Sequence, residues 1–182
     1  MNKILCIIDM QQEFIRGVFG TAEAEKLAPK IAEYIKNFEG EIYITQDRHE
    51  YNEGCELNIE ESRLPQHCKY NTEGFEVNPI ITEALSQTPY DFYLKDTFGS
   101  IDMCKDIGEL VENLRLAKSP TTIYVCGLTT DICVLSNTLM LRAFCPYSKI
   151  VLLSNLCAGT TPENHQKAID LMKQCCIDIE GV

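Results

Sequence analysis

Residues 121–143 read TTIYVCGLTTDICVLSNTLMLRA and combine two patterns in one short stretch. The apolar and β-branched run Thr121–Cys126 is typical of a strand that is buried on both faces. Asp131–Ala143 instead repeats its apolar residues at helical spacing. The segment therefore predicts a strand followed at once by a helix, with Gly127 in the corner between them.

The same alternation of strand and helix patterns runs through the whole chain. Strands that are apolar on both faces and alternate with helices indicate an α/β fold, in which helices cover both faces of a parallel sheet. The predicted strands are Lys3–Asp9, Glu41–Gln46, Asp91–Lys95, Thr121–Cys126, Lys149–Ser154 and Ile177–Glu180. The predicted helices are Ala22–Phe38, Met103–Ala117, Asp131–Ala143 and Thr161–Gln174. Residues Asp47–Pro79 have no clear period, and a loop of that length is usually functional.

Length and composition limit the classes of protein to consider. A chain of 182 residues suits a single domain, which we expect to span residues 1–182. The formal net charge of −11 argues against nucleic acid or an anionic membrane as partner. The opening MNKILCIIDMQ contains an apolar run too short for a signal peptide or a membrane span, so we expect a cytoplasmic protein.

The chain contains ten cysteines, scattered and without a CxxC pair, which favours reduced and mostly buried thiols over disulfides. Cys133 differs in position, because it follows the strand-to-helix corner. Unpaired N–H groups at the start of a helix lower the pKa of a thiol and favour the reactive thiolate. A buried packing role is the alternative for any single cysteine. A nucleophilic Cys133 would need a base, and no histidine lies near it in the sequence.

Two charged residues end other predicted strands. Ligands of parallel α/β sheets bind at the carboxyl ends of the strands, where Asp9, Lys95 and Cys133 would meet. Burial can raise the pKa of a carboxylate until it accepts a thiol proton. We therefore predict that Asp9 is the base and that Lys95 holds the carboxylate and the thiolate together electrostatically. Taken alone, Asp9 could instead cap a helix or turn, and Lys95 could be a solvated charge at the end of a strand. No glycine-rich phosphate loop follows any strand, which argues against a nucleotide cofactor.

A candidate metal site follows the second strand. Alternation along the strand puts Asp47 and His49 on one face, and His67 lies in the same long loop. Two histidines and a carboxylate that leave open positions suit Zn, Fe(II) or Mn(II). Glu60 is a candidate fourth ligand, and its neighbour Glu61 competes with it for that role.

Six segments together carry a resemblance to a known family. The chain resembles the isochorismatase-like cysteine hydrolases, and within them the nicotinamidases, over nearly its full length. The resemblance implies a three-layer α/β/α sandwich with a six-stranded parallel sheet. The segments are IIDMQQEF (7–14), TQDRHE (45–50), LPQHCKYNTEGFE (64–76), LKDTFGS (94–100), VCGLTTDICVLSNTL (125–139) and AGTTPENHQKA (158–168).

The resemblance also implies roles for particular residues. The family's catalytic triad falls on Asp9, Lys95 and Cys133. Its metal site falls on Asp47, His49 and His67, and Glu60 aligns with a glutamate that some members use as a further ligand. The implied oxyanion hole consists of the backbone N–H groups of Thr129 and Cys133, beside a cis peptide bond between Leu128 and Thr129. The implied substrate contacts are Phe14 and Leu128.

The resemblance predicts a metal-containing cysteine amidohydrolase that converts nicotinamide to nicotinate and ammonia through a thioester on Cys133. It implies one divalent metal ion (Zn, Fe or Mn), and the retained metal triad favours a nicotinamidase within the family, because that metal faces the pyridine nitrogen there. The partner would be a small-molecule amide, and a homo-oligomer is compatible with the sequence. Leu64, where many nicotinamidases have tryptophan, changes the pocket wall. The alternatives are a hydrolase of another small carboxamide or ureido compound and a metal- or thiol-sensing protein without turnover.

Overall fold

The computed structural model describes residues 2–51, 54 and 56–181. Met1, Cys55 and Val182, which the domain and cysteine predictions include, lie outside the described residues. The strands are β1 (Asn2–Ile8), β2 (Glu41–Asp47), β3 (Asp91–Lys95), β4 (Thr121–Leu128), β5 (Lys149–Ala158) and β6 (Asp178–Glu180). They form one sheet in the order β3-β2-β1-β4-β5-β6, and every neighbouring pair is parallel. The predicted six-stranded parallel sheet is confirmed.

Helices cover both faces of this sheet. The helices are α1 (Gln12–Arg16), α2 (Leu27–Lys36), α3 (Ile59–Arg63), α4 (Pro79–Leu85), α5 (Ile101–Leu116), α6 (Leu135–Phe144) and α7 (Pro162–Gln174). Helix α2 contacts α4, and α6 contacts both α5 and α7. Because crossovers between parallel strands are right-handed, α2 and α4 cover one face of the sheet, and α5, α6 and α7 cover the opposite face. The three-layer α/β/α architecture is confirmed.

Several of the predicted elements have different bounds in the structure. The helix expected at Ala22–Phe38 begins only at Leu27, after a 3-10 turn. Pro29 lies in its first turn, where a missing N–H costs no helical hydrogen bond. The long loop Asp47–Pro79 contains helix α3 and a 3-10 turn at Glu73–Phe75. Elements of three to five residues are too short to produce a recognisable period.

The sheet order changes direction between β1 and β4, and the crevice beyond their carboxyl ends is the usual ligand site of such a sheet. Gly127, near the end of β4, is the register partner of Ile8 in β1 and has a φ of 117°. A Cβ added to Gly127 would lie 2.1 Å from the carbonyl oxygen of Ile8. The close approach of the two strands at the crevice therefore requires glycine.

We expect Gly127→Ala to lower the free energy of unfolding by about 2–6 kcal/mol, because left-handed strain and overpacking each cost about 1–3 kcal/mol. Urea unfolding followed by circular dichroism would measure it. Gly181→Ala is the matched control, since a Cβ there meets nothing within 4 Å. A Gly127→Ala protein as stable as the control would contradict the close-approach argument.

The cysteine pattern is largely as expected. The nine described cysteines are all free, and seven of them are buried. Cys176 is an exception to the predicted packing role, because it is exposed and has a φ of 61°. Its left-handed backbone turns the chain from α7 towards β6 and directs the side chain outward. Within the described residues, no helix is both long and apolar enough to cross a membrane.

Candidate active site

Asp9 follows β1 directly and lies fully buried in the crevice. Its backbone is left-handed, with a φ of 46°, a conformation that aspartate tolerates better than most residues. The hydroxyl group of Thr45, in β2, donates a hydrogen bond to Oδ1 of Asp9 at 2.7 Å. Burial raises the pKa of Asp9 above the usual aspartate value, and the positive charge of Lys95 only partly opposes this effect.

Lys95 ends β3, and its side chain is only 2% exposed. Its Nζ lies 2.7 Å from Oδ2 of Asp9, 3.0 Å from Oδ1 of Asp47 and 3.8 Å from Sγ of Cys133. Burial lowers the pKa of Lys95, but the interactions with Asp9, Cys133 and Asp47 are stronger. The pKa of Lys95 is therefore raised well above the ordinary value. One ammonium group therefore contacts the predicted base, the predicted nucleophile and a predicted metal ligand.

Cys133 lies in a π-helical turn, Thr130–Val134, that precedes α6. The predicted helix was expected to start at Asp131, but regular α-helix begins only at Leu135. The carbonyl of Thr129 accepts hydrogen bonds from the N–H groups of Ile132 and Val134, both at 3.1 Å. The expected cis peptide bond between Leu128 and Thr129 is present. Single π-helical turns are frequent at functional sites.

The expected low pKa of the Cys133 thiol is wrong. Burial raises the pKa of this thiol well above the ordinary value, and Asp9 and Asp47 raise it further against the lowering effect of Lys95. A hydrogen bond with Asp9 also favours the neutral thiol. The resting residue is therefore a protonated thiol, and a nucleophilic Cys133 would need a base to accept its proton.

Asp47, His49 and His67 form a compact buried group, with one ligand atom from each residue within 4.8 Å of the others. Nε2 of His49 lies 3.0 Å and Nε2 of His67 3.3 Å from Oδ2 of Asp47. Nδ1 of His67 lies 2.7 Å from the carbonyl oxygen of Pro65, which can only accept a hydrogen bond. Nδ1 of His49 faces a carboxylate oxygen of Glu61 at 2.9 Å.

These contacts test whether the group suits a metal ion. Metal-binding histidines typically donate their other ring N–H to a carbonyl or carboxylate, as both histidines can do here. Burial favours a neutral Asp47, but the charge of Lys95 and hydrogen bonds from the two histidines hold its pKa well below the usual range. An ionised carboxylate and two Nε2 atoms therefore converge on one point, and this donor set fits a divalent metal ion.

Glu60 does not join this group. Its Oε1 accepts a hydrogen bond from the backbone N–H of Phe98 at 3.2 Å. Among the residues that the structure describes, the candidate metal group contains only Asp47, His49 and His67. Neighbouring residues on a helix point about 100° apart, so α3 directs Glu61 rather than Glu60 at His49.

A cavity opens between the thiol and the candidate metal ligands. Leu128, an expected substrate contact, is not among its lining residues, because this side chain lies buried in the core at 1% exposure. Phe19 and Phe98 do line the cavity, and no period or strand end in the sequence pointed to them. Phe19 stacks on Phe14 with ring centroids 6.0 Å apart. The lining residues are Phe14, Phe19, Asp47, Leu64, His67, Phe98, Thr129, Ile132 and Cys133.

The third histidine of the chain contacts the π-helical turn Thr130–Val134. Nδ1 of His165, on α7, lies 2.8 Å from the hydroxyl oxygen of Thr130. Asp131 accepts a hydrogen bond from the backbone N–H of Thr160, just before α7, at 2.8 Å. Burial lowers the pKa of His165, which favours a neutral ring. These contacts fasten the turn to the start of α7.

Comparisons with known proteins agree on one family. A family model described as the isochorismatase domain matches residues 3–181. The fold is similar to nicotinamidase/pyrazinamidase from Bacillus subtilis, with 22% identity, a TM-score of 0.78 and coverage of 98% of this chain and 99% of that one. Pyrazinamidase from Pyrococcus horikoshii, solved in complex with zinc, shares 26% identity with a TM-score of 0.76 and full coverage of both chains (100% each).

N-carbamoylsarcosine amidase from Thermoplasma acidophilum is also similar in fold, with 19% identity and a TM-score of 0.73. That similarity covers 100% of this chain and 96% of the amidase. No curated protein sequence matches the chain significantly. The same fold is thus found in proteins described as acting on different small amides.

Proposed function

This chain belongs to the isochorismatase domain family, and on that premise we propose that it is a metal-containing cysteine amidohydrolase acting on nicotinamide. The observation that carries the proposal is the position of the Lys95 ammonium, within 3.8 Å of Asp9, Asp47 and Cys133. A carboxylate and a thiol held against one buried cation are the groups that thioester chemistry needs. A metal- or thiol-sensing protein needs no such pairing.

In the proposed first step, Asp9 accepts the thiol proton while Sγ of Cys133 attacks the amide carbon of the substrate. The tetrahedral oxyanion is stabilised by the backbone N–H groups of Thr129 and Cys133. The intermediate collapses when the carbon–nitrogen bond breaks, and Asp9 returns the proton to the departing ammonia. The acyl group remains on Cys133 as a thioester.

In the proposed second step, Asp9 accepts a proton from a water molecule that attacks the thioester carbon. The carbon–sulfur bond then breaks, the carboxylic acid leaves, and the proton on Asp9 restores the thiol of Cys133. Lys95 keeps a positive charge beside Asp9 and the sulfur in both steps. It therefore stabilises whichever of the two carries the negative charge.

Asp47, His49 and His67 are the residues that would hold a divalent metal ion, with Zn, Fe and Mn as the candidates. When bound, such an ion supplies a Lewis-acid site for a nitrogen lone pair of the substrate. The zinc complex of the Pyrococcus horikoshii pyrazinamidase supports this assignment. Phe14 and Phe19, whose ring centroids lie 6.1 and 5.2 Å from that of His67, offer aromatic surface for a flat ring.

The cavity wall favours a neutral aromatic amide over a ureido acid. Five of the lining residues are apolar or aromatic, and among the described lining residues there is no arginine or lysine. A substrate carboxylate would find no basic side chain among these lining residues, and an unpaired buried charge costs several kcal/mol. Nicotinamide carries no charge and presents a ring nitrogen. A different neutral carboxamide remains the alternative, since Leu64 shapes one side of the wall.

Ammonia release by the purified, zinc-loaded protein tests the proposal. We expect turnover of nicotinamide, much slower turnover of benzamide, which lacks the ring nitrogen, and no turnover of N-carbamoylsarcosine, which carries a carboxylate. Treatment with a chelator should remove activity towards nicotinamide, and added zinc should restore it. Absence of ammonia from nicotinamide in the zinc-loaded protein would refute this function, and faster benzamide turnover would remove the proposed role of the metal.

A further inference from the structure

Glu61 contacts the candidate metal centre from outside. Its Oε1 lies 2.9 Å from Nδ1 of His49, and the Glu61 side chain is 10% exposed. Neither step of the proposed mechanism uses this carboxylate. Glu61 contacts Nδ1 of His49, whereas the other ring nitrogen, Nε2, faces Asp47.

The carboxylate of Glu61 is held in place at both ends. Oε2 of Glu61 accepts a hydrogen bond from the backbone N–H of Asn58 at 2.8 Å. In return, the backbone N–H of Glu61 donates to Oδ1 of Asn58 at 2.9 Å. Together these bonds form a capping box at the start of α3. Nδ2 of Asn58 donates to the carbonyl of Asp96 at 2.8 Å, which ties the helix start to the residue after Lys95.

We propose that Glu61 is a positioning residue of the metal centre, which acts through His49 and does not itself bind the metal. The Glu61 carboxylate accepts a hydrogen bond from Nδ1–H of His49, which keeps the ring proton on Nδ1 and leaves the lone pair of Nε2 on the side that faces Oδ2 of Asp47. Such an outer partner fixes the tautomer and the ring orientation and raises the basicity of the ligand. This inference rests on the metal-containing site of the proposed function.

The neighbouring glutamate provides a matched comparison. Glu60 and Glu61 lie on the same helix and carry the same charge, but Glu60 contacts the backbone N–H of Phe98 instead of a histidine. A general effect of negative charge near the site would act similarly from both positions. An effect that passes through His49 belongs to Glu61 alone.

The experiment compares zinc affinity in Glu61→Gln and Glu60→Gln by competition with a chromogenic chelator. Glutamine has a single acceptor oxygen, so at position 61 it cannot accept from both His49 and the Asn58 N–H. We expect the zinc Kd of Glu61→Gln to rise roughly 10–100-fold, the usual cost of losing such an outer partner. The Kd of Glu60→Gln should stay within about 3-fold of the wild type. In the zinc-loaded protein, the NMR signal of the His49 Nδ1 proton should persist in Glu60→Gln and be shifted or lost in Glu61→Gln.

Two further measurements separate positioning from folding. The metal-free Glu61→Gln protein should melt at the wild-type temperature, and Asn58→Ala, which weakens the helix cap but leaves Glu61 in place, should lose less zinc affinity. An unchanged Kd in Glu61→Gln, an equal or larger loss in Glu60→Gln, or an equal loss in Asn58→Ala would overturn the inference. A wild-type protein that binds no divalent metal would instead overturn the metal centre of the proposed function.

Discussion

Replacing Cys133 by alanine is expected to abolish amide hydrolysis, with kcat/KM falling by about 10⁴-fold or more, as when other covalent nucleophiles are removed. The proposed route passes through a thioester, and among the described residues that line the cavity only Cys133 carries a thiol. The substitution removes one sulfur atom from a buried position and leaves the backbone of the turn unchanged. Ammonia release from nicotinamide measures the loss, and circular dichroism checks that the variant folds.

Cys145→Ala is the matched control for this prediction. Cys145 is also buried, but it lies at the other end of α6 from Cys133. Helix α6 has ten residues, is about 15 Å long and begins directly after the turn Thr130–Val134. We expect Cys145→Ala to keep wild-type turnover within a few-fold. Substantial hydrolysis by Cys133→Ala, or an equal loss in Cys145→Ala, would mean that Cys133 is not the nucleophile.

The sheet could be predicted because its four central strands, β1, β2, β4 and β5, are buried on both faces. Runs such as Thr121–Cys126 are continuously apolar or β-branched, and only a sheet covered on both sides explains several such runs alternating with helices. Helix α3 could not be predicted in the same way. Five residues give no period, and its start depends on the reciprocal hydrogen bonds of Asn58 and Glu61. The spacing Asn58-x-x-Glu61 is a sequence signature of a capping box, but without a helical period after it this signature does not establish a helix.

The meeting of Asp9, Lys95 and Cys133 could be predicted because each lies at the end of a parallel strand or at the turn after it. The pKa of the thiol could not be predicted, since burial and the charges of nearby carboxylates are properties of the folded chain. The choice between Glu60 and Glu61 likewise depends on the rotation of a short helix. The sequence therefore predicted which side chains lie together in the crevice, but it did not predict their pKa values.

Replacing Asp9 by asparagine is expected to lower turnover by about 10³-fold or more, since a general base contributes about 10²–10⁴-fold and Asp9 acts in both proposed steps. Asparagine keeps the size of the side chain and can still accept the hydrogen bond from Thr45. It cannot accept a proton from the thiol of Cys133. Because burial raises the pKa of that thiol, little thiolate would form without the base.

The pH profile provides a second measurement of the same group. Asp9 must be ionised to accept a proton, so wild-type kcat/KM should fall as the pH drops through the pKa of Asp9. Burial raises that pKa, so this loss should occur above the ordinary aspartate value of about 3.9. Residual turnover of Asp9→Asn should lack this loss of activity at low pH.

Asp96→Asn is the control, because it removes an exposed negative charge next to Lys95. It should keep both the wild-type rate and the wild-type loss of activity at low pH. An Asp9→Asn protein that hydrolyses nicotinamide at close to the normal rate would mean that another group takes the thiol proton, and His165 would be the first to test.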